Sequence, residues 1–404
     1  MKIKNKGRKI YKTKEKNYYG KSPVGKAFSV GLSILLIGGI GFIGYSVAEP
    51  IINYNKKKGD QDTSISVQAT TSAEENSLAS EMITDNADPE NPYIHQNINS
   101  ETYMAAALKE SDLMNSDTLK LALDRLPTGQ NIEYIEVPLK VSGGGIYYSS
   151  SVYYASSAQA FQNMLTLQEI VTSIQNAGYK PAAIVSTFND NLLPVIDRNA
   201  GYRTYNTDEQ WIDDDYNAGG KPWTTPYSQT SLNYISDVVS EVSSSGFEKV
   251  VCSDFIFPNF RQSDLDMLDP ELASGGRARA MTSAANLFND KILSNGSAMF
   301  IEVSAAELIK GNNDILQPML LNVKTVVLNI DIDELSNGVY SKDTVYEFTG
   351  KASDKAIKAI DMVEDSLADF NVAVRISGDS ANMSEILEAR DELAEKGYKS
   401  FVIG

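Results

Sequence analysis

From about residue 101 onward, short apolar segments typical of strands alternate with longer segments that have helical periodicity. This alternation is typical of strand–helix units that form a parallel sheet. The predicted strands are residues 102–107, 132–138, 182–188, 249–255, 298–304, 325–330, 372–376 and 400–403. The clearest predicted helices are residues 158–177, 231–244, 277–293, 353–368 and 383–396. Eight strands in one α/β domain of about 300 residues favour a closed (β/α)8 barrel, the TIM-type fold, over an open doubly wound sheet.

Several function classes are excluded by the residues that the chain lacks. It has one cysteine, Cys252, and one histidine, His95, which lies before the predicted barrel. An intrachain disulfide, a Cys-based zinc cluster and a Ser-His-Asp triad within the barrel are therefore excluded. The sequence also has no Gly-x-Gly-x-x-Gly after a strand and no Gly-x-x-x-x-Gly-Lys-Ser/Thr loop. We predict no cofactor and no metal, so any chemistry must rest on carboxylates and other polar side chains.

Residues 27–48 form a run of 22 residues without a charged side chain. A helix of this length can cross a bilayer. Ten lysines and arginines precede the run and three lysines follow it, which predicts a cytoplasmic basic tail at residues 1–26 and an extracellular remainder. The alternative is a signal peptide cleaved after Ala48, but the run is longer than the apolar part of such peptides. We therefore expect a single-pass membrane protein.

Residues 49–100 are rich in Ser, Thr, Asn, Asp and Glu and contain few large apolar residues. This composition predicts a disordered, flexible extracellular linker that precedes the barrel at residues 101–404. The charge is divided unevenly along the chain. Residues 1–58 carry 13 of the 36 basic side chains but only two of the 53 acidic side chains. The remainder is strongly acidic and would repel nucleic acid, which we exclude as a partner.

The segment 211–258 contains an unusual order of residues. W-x-D at 211–213 is followed by G-x-x-W-x-x-P-Y at 220–227, then by a helix with Glu241 and Gly246-Phe247, and then by a strand that leads to Phe257-Pro258. In this order the chain resembles the glycoside hydrolase-type barrel domain of bacterial surface proteins. The resemblance implies a (β/α)8 barrel that acts on or binds polysaccharide.

Outside this segment the resemblance is weaker and the acidic positions differ. Glu136 aligns with the first acid of the family's D-V-K-D motif, but the second acid is absent. Asp190 aligns with the acid of F-K-D after the third strand, and Glu302 with an Asp that ends the fifth. In the family's F-D-Y-V-R-F-P motif the Asp aligns with Ser253 without a gap, and with Asp254 only after a one-residue deletion.

Three carboxylates are the candidate catalytic residues: Glu136, Asp254 and Glu302. Glycosidic cleavage uses two carboxyl groups, which project from the carboxyl ends of strands in a barrel. Strand alternation, with Val250, Cys252 and Asp254 on one face, predicts that all three acids point inward. Asp254 and Glu302 lie on neighbouring strands and form the preferred pair. The alternative is a structural role, in which these acids pair with Lys140 and Arg375.

Aromatic side chains in the predicted loops at the carboxyl ends of the strands are the second indication of a saccharide ligand. Tyrosine and tryptophan rings stack on the C–H faces of sugars and keep a polar group for the hydroxyls. The predicted substrate-binding residues are Tyr148, Trp211, Asp213, Trp223 and Tyr227. The acidic runs at 213–215 and 331–334 could ligate Ca²⁺, but such runs are more often solvated surface.

Two functions therefore remain. The first is a membrane-anchored extracellular enzyme that acts on a cell-surface or cell-wall polysaccharide. The second is a catalytically inactive barrel that binds glycan or a partner in the cell envelope, which the missing family acids favour. A barrel fold alone does not decide between them, because barrels carry many activities.

Overall fold

The computed structural model describes residues 102–161, 164–268, 270–273, 276–341, 344–378 and 383–404. The predicted basic tail, membrane helix and linker lie outside these ranges. Within the described ranges, no helix combines the length and the hydropathy needed to cross a membrane. The described residues belong to the predicted barrel domain.

Eight parallel strands close into a barrel, in the order β1-β2-β3-β4-β5-β6-β9-β10 and back to β1. The barrel strands are β1 (Met104–Ala107), β2 (Tyr134–Lys140), β3 (Lys180–Ser186), β4 (Lys249–Ser253), β5 (Ala298–Ser304), β6 (Thr325–Asp331), β9 (Asn371–Ser377) and β10 (Ser400–Ile403). A short antiparallel hairpin, β7 (Val339–Ser341) and β8 (Thr344–Tyr346), lies between β6 and β9 in the chain. The predicted closed (β/α)8 barrel and all eight predicted strands are confirmed.

Helices cover the outside of the barrel and alternate with its strands. They are α1 (Ser116–Asp124), α2 (Tyr153–Ser157), α3 (Leu167–Asn176), α4 (Leu193–Ile196), α5 (Gln229–Ser244), α6 (Gln262–Met267), α7 (Pro270–Ala273), α8 (Arg277–Ser294), α9 (Ala305–Lys310), α10 (Ile332–Ser336), α11 (Ala352–Leu367) and α12 (Met383–Glu395). Short 3-10 turns occur at Glu110–Leu113, Arg198–Ala200 and Tyr216–Ala218.

The predicted helix 158–177 is wrong in its first half, because α3 begins only at Leu167. Thr166 caps this helix: its hydroxyl accepts from the Glu169 backbone N–H, and the Glu169 carboxylate accepts from the Thr166 backbone N–H. This reciprocal capping satisfies two backbone donors at the helix start. The Thr-x-x-Glu spacing therefore fixes where the helix begins.

The barrel interior contains an apolar layer that is separate from the core beneath the helices. Its buried members are Tyr103, Ala105, Tyr134, Ala182, Val251, Phe300, Val327, Ala373 and Val402. The outer core includes Val250 and Cys252, whose side chains pack toward the helices. The predicted register of β4 is therefore wrong: Val251, and not Val250 or Cys252, faces the barrel axis. The predicted inward positions of Glu136 and Glu302 agree with the placement of Tyr134 and Phe300.

Candidate active site

An open pocket of about 450 Å³ lies at the carboxyl ends of the strands. We call it the mouth pocket. Its polar lining includes Lys140, Ser142, Ser253, Glu302, Asn329, Asp331, Asp333 and Arg375. Active sites of (β/α)8 barrels are built at this end, because the loops that follow the strands vary without disturbing the barrel. The mouth pocket is therefore the candidate active site of this barrel.

Arg375 joins two of the predicted acids inside the barrel. Its Nη1 lies 2.7 Å from Glu302 Oε2, and its Nη2 contacts Glu136 Oε2. The Tyr103 hydroxyl donates to Glu136 Oε1 at 2.9 Å. Glu136 is fully buried, and Arg375 and Glu302 are nearly so. One cation thus holds two carboxylates that project from opposite parts of the barrel wall, and the alternative prediction of a pairing with Arg375 is seen for both acids.

The buried surroundings change the proton affinity of these acids. Burial, together with the negative charges of Glu136 and Asp254, raises the pKa of Glu302 to about 7 against the lowering effect of Arg375. Burial also raises the pKa of Glu136, which Arg375 and the Tyr103 hydroxyl partly offset. A carboxyl group with a pKa near neutral can both donate and accept a proton at physiological pH. Glu302 therefore has the properties of a general acid.

Asp254 follows the last residue of β4 and has a left-handed backbone, with φ of 59°. Residues other than glycine rarely adopt this conformation, although Asp and Asn tolerate it best. Ser142, in the loop after β2, donates to Asp254 Oδ2 at 2.7 Å. Because the backbone turns after β4, the carboxylate contacts Ser142, which lines the mouth pocket. The alternation that predicted its inward position does not apply.

Contacts on both sides maintain this turn. The carbonyl oxygen of Ser253 accepts from the backbone N–H and the hydroxyl of Thr187, and the carbonyl oxygen of Asp254 accepts from the Phe188 backbone N–H. The ring of the next residue, Phe255, is buried against Phe188 with ring centroids 5.9 Å apart. A strained residue persists only where its neighbours determine its conformation in this way. Ser253, by contrast, lines the mouth pocket as the last residue of β4.

A second buried ion pair supports the rim. Lys140 Nζ lies 2.9 Å from Asp190 Oδ2 and donates to the Ser186 carbonyl oxygen, and both charged side chains are buried. Asp190 Oδ1 accepts from the backbone N–H groups of Leu192 and Leu193. Gly144 packs directly on this carboxylate, since a Cβ there would lie 2.2 Å from Asp190 Oδ1. The glycine run after β2 thus covers the ion pair.

The predicted substrate-binding aromatics do not line the mouth pocket. Trp211 is buried against Tyr202 and Phe260. Trp223 Nε1 donates to Asp213 Oδ2 at 2.8 Å, and Asp213 Oδ1 accepts from the Lys221 backbone N–H. The W-x-D and G-x-x-W residues therefore stabilise the fold of the long loop after β3.

Two tyrosines from the same prediction have different positions. Tyr148 is fully buried and donates to Glu241 Oε2 at 2.8 Å, so its ring offers no surface to a sugar. The assignment of Tyr148 to substrate binding is therefore corrected to packing. Tyr227 is 37% exposed and lines a second cleft, which shares no lining residue with the mouth pocket.

Sequence reasoning missed Ser142 and Tyr103. Continuing the alternation of β1 backward from Ala105 would have placed Tyr103 inside the barrel. No comparable signal identifies Ser142, because it reaches Asp254 across 112 residues from a loop. Among the residues that the structure describes, no group of three or more Asp, Glu, Cys or His side chains is arranged to hold a metal ion.

One family model matches part of the barrel. Residues 108–306 match the family model described as "Putative glycosyl hydrolase domain". The predicted resemblance to a glycoside hydrolase-type barrel is thereby confirmed. No curated protein matches the sequence.

Several solved structures are similar to this chain. The PgaB (BpsB) glycoside hydrolase domain from Bordetella bronchiseptica is similar with a TM-score of 0.52 at 10% identity, over 75% of this chain and 94% of that domain. A hypothetical protein from Ruminiclostridium thermocellum has a TM-score of 0.40 at 15% identity, over 48% of this chain and 96% of its own. The PelA glycoside hydrolase domain from Pseudomonas aeruginosa has a TM-score of 0.39 at 11% identity, over 75% and 94%. At such low identity, the Bordetella similarity shows the shared barrel fold alone.

Proposed function

We propose that the protein is a membrane-anchored extracellular glycoside hydrolase that cleaves a cell-surface or cell-wall polysaccharide at the mouth pocket. The observation that carries this proposal is Glu302, a carboxyl group at the open end of the barrel whose pKa is raised to about 7. The match of residues 108–306 to a glycosyl hydrolase family model supports the reaction type. This match alone does not identify the catalytic residues, so the proposal rests on the geometry of the acids.

In the proposed reaction Glu302 is the general acid and donates its proton to the oxygen of the scissile glycosidic bond. Asp254 supplies the second carboxyl group that such cleavage requires, as nucleophile or as base for a water molecule. Proton donation leaves a negative charge on Glu302, and Arg375, 2.7 Å away, stabilises that charge. Glu136 and Tyr103 position the guanidinium from the other side, and neither has to contact the substrate.

The proposed location rests on the charge pattern of the N-terminal region. The uncharged run at residues 27–48 follows ten basic residues, which favours a cytoplasmic N-terminus and an exported barrel. Protease added to intact cells should then degrade the barrel and leave the tail at residues 1–26 protected. Protection of the barrel in intact cells, with degradation only after lysis, would contradict this orientation.

Hydrolysis by the full chain tests the catalytic proposal. Purified protein is incubated with peptidoglycan and with a panel of cell-wall polysaccharides, and new reducing ends are measured. Glu302→Gln and Asp254→Asn should each reduce turnover by about 10²-fold or more, since general acid–base groups contribute about that much. Asparagine is chosen at position 254 because it tolerates the left-handed backbone. Asp365→Asn, on the exposed outer face of α11, is the matched control and should retain full activity.

Two results would overturn the assignment of these acids. Turnover that survives both substitutions would place the reaction elsewhere. Turnover reduced equally by Asp365→Asn would indicate a general effect of lost negative charge.

A second candidate function is a barrel that binds glycan without cleaving it. Ser253 favours this candidate, because it occupies the strand-end position that aligns without a gap with the family's Asp. Absence of turnover on the whole panel, together with measurable retention of one of its polysaccharides, would support this candidate over the hydrolase.

A further inference from the structure

A second cleft lies on the long loop that connects β3 to α5, residues 187–228. Its volume is about 680 Å³, and its lining comes from this loop, the first residues of α5 and Leu272. Because the loop follows the carboxyl end of β3, the cleft lies on the same end of the barrel as the mouth pocket. The two cavities share no lining residue. We call this cavity the loop cleft.

Aromatic rings and uncharged polar groups line the loop cleft. Tyr205 is 71% exposed and Tyr227 is 37% exposed. The Tyr227 ring lies near Phe257, with centroids 6.1 Å apart, which supports it from the protein side. Further lining groups are the amides and hydroxyls of Asn199, Thr204, Gln229 and Thr230. Exposed rings surrounded by hydrogen-bonding groups match a pyranose, which has apolar C–H faces and a rim of hydroxyls.

The charges that line the cleft neutralise each other. Arg203 Nη1 lies 2.8 Å from Asp208 Oδ1, and Arg198 from outside the lining is 3.6 Å from Asp208 Oδ2. A ligand with a carboxylate or an ammonium group would have to compete with these ion pairs. An uncharged sugar would not, so the cleft favours neutral saccharide units.

Hydrogen bonds hold the cleft in shape. The Thr225 backbone N–H donates to the Ala200 carbonyl oxygen at 3.0 Å, and the Ser231 hydroxyl donates to the same oxygen at 2.8 Å. The Ser228 hydroxyl donates to the Asn199 carbonyl oxygen at 2.6 Å. Because these contacts fix the loop on α5, little ordering entropy is lost when a ligand binds.

The same loop connects the cleft to the mouth pocket. Thr224 donates through its backbone N–H and its hydroxyl to the Asp190 carbonyl oxygen, and Asp190 pairs with Lys140 of the mouth pocket. The next residue, Thr225, lines the loop cleft. The loop thus lines the loop cleft and, through Asp190, contacts Lys140 of the mouth pocket.

We propose that the loop cleft is a second carbohydrate-binding site, which takes uncharged pyranose units of a polysaccharide and stacks them on Tyr205 and Tyr227. The site does not require that the mouth pocket be catalytic. If the proposed hydrolase function is correct, the cleft would hold a part of the polymer away from the bond that is cleaved.

Calorimetric titration of the full chain with uncharged hexasaccharides tests this site. Cellohexaose, laminarihexaose and chitohexaose are the probes, and the protein carries Glu302→Gln so that no probe is cleaved. Sugar-headed detergents are avoided because they would compete. At least one probe should bind, and Tyr205→Ala combined with Tyr227→Ala should weaken binding about tenfold, the effect expected for two lost stacking contacts.

Two further variants keep the result interpretable. Tyr216→Ala removes a tyrosine of the same loop that is 85% exposed and does not line the cleft, and it should leave affinity unchanged. Tyr205→Phe combined with Tyr227→Phe keeps both rings and should retain most of the affinity. Weakened binding in the alanine pair alone would then come from the lost rings and not from a folding defect. Binding by none of the probes, or equal losses in the alanine pair and in Tyr216→Ala, would overturn the proposal. Hydrolysis is measured separately, so binding without turnover would contradict the hydrolase and support the cleft.

Discussion

The lower and upper halves of the barrel interior differ in chemistry although the same strands build both. In the half nearer the amino ends of the strands, Tyr134, Phe300 and Ala373 face the axis and pack in an apolar layer. Two residues further along the same strands, the inward positions are Glu136, Glu302 and Arg375. Because side chains two residues apart on a strand point to the same side, both residues on each strand face the barrel axis. The sequence therefore changes from apolar to charged within one step of the alternation.

This difference separates stability from chemistry along the barrel axis. The apolar layer contains edge-to-face contacts such as Tyr103 with Phe300, whose centroids are 5.0 Å apart. A small cavity of about 220 Å³ lies beneath it at the amino ends of the strands. The charged layer instead opens to the mouth pocket. Apart from Tyr103, whose hydroxyl donates to Glu136, we expect substitutions in the lower layer to change unfolding free energy alone, and substitutions in the upper layer to change both stability and proton affinity.

Arg375→Leu should have the largest effect. It removes the cation between Glu136 and Glu302 and leaves two buried carboxylates without a cationic partner, which costs about 3–5 kcal/mol of unfolding free energy. Chemical denaturation measures this change. The control is Lys120→Leu, which breaks an exposed ion pair with Asp124 and should cost about 1 kcal/mol or less. Adding Glu136→Gln to Arg375→Leu should restore part of the loss, and failure to do so would show that the two charges are not coupled.

Phe300→Ala tests the lower layer. It removes a buried ring from the barrel interior and should cost about 3 kcal/mol, near the lower end of such losses, because the cavity beneath lets neighbours relax. Thermal or denaturant unfolding gives the value. The pH at which Glu302 titrates should not move. A changed titration of Glu302 would show that the two halves of the interior are not separable.

The titration of Glu302 sharpens the comparison further. Because its folded pKa of about 7 exceeds its ordinary value of 4.5, its contribution to stability is complete below about pH 4.5 and is lost as the pH rises through 7. Glu136→Gln removes a negative charge that raises this pKa, so the loss should occur at lower pH. Carbon-13 NMR of the glutamate carboxyl groups and melting temperatures across this pH range measure both effects. An unchanged Glu302 midpoint in Glu136→Gln would contradict the electrostatic coupling between the two carboxylates.

Ser142→Ala should have the smallest effect. It removes the hydroxyl that donates to Asp254 at 2.7 Å in a partly exposed position, which costs about 1 kcal/mol of unfolding free energy. If Asp254 takes part in the reaction, kcat should fall more than KM changes, because the carboxylate is no longer held in position. Ser142→Thr keeps a hydroxyl and should restore most of the activity. Equal activity in all three proteins would show that this hydrogen bond does not position Asp254.

The barrel was predictable because parallel strands covered on both faces appear as nearly continuous apolar runs. The inward placement of Glu136 and Glu302 was predictable because β2 and β5 continue through these residues. Strand alternation does not predict the direction of the Asp254 side chain. β4 ends at Ser253, and the left-handed backbone of Asp254 changes the direction that alternation predicts. A two-residue period carries no information once the strand has ended.

Aromatic residues show a second limit. A tyrosine in a loop has the same sequence signature whether its ring is exposed or buried. Tyr148 is buried, and its hydroxyl donates a hydrogen bond to Glu241, 93 residues away, which only the folded chain brings close to it. Trp223 and Asp213 likewise contact each other within the loop after β3. Their pairing is a property of the loop's fold, which no local pattern encodes.

The closure of the barrel between β1 and β10 has a consequence for synthesis. The Phe401 backbone N–H donates to the Tyr103 carbonyl oxygen at 2.8 Å. The Tyr103 backbone N–H donates to the hydroxyl of Ser400, which lies 297 residues away in the chain. Before residues 400–403 of a nascent chain have been synthesised, the other strands can form only an open sheet, in which β1 and β9 are unpaired edges. Such edges can pair with a neighbouring chain. Until β10 is inserted, folding therefore competes with aggregation, and the barrel is completed only after this strand has emerged.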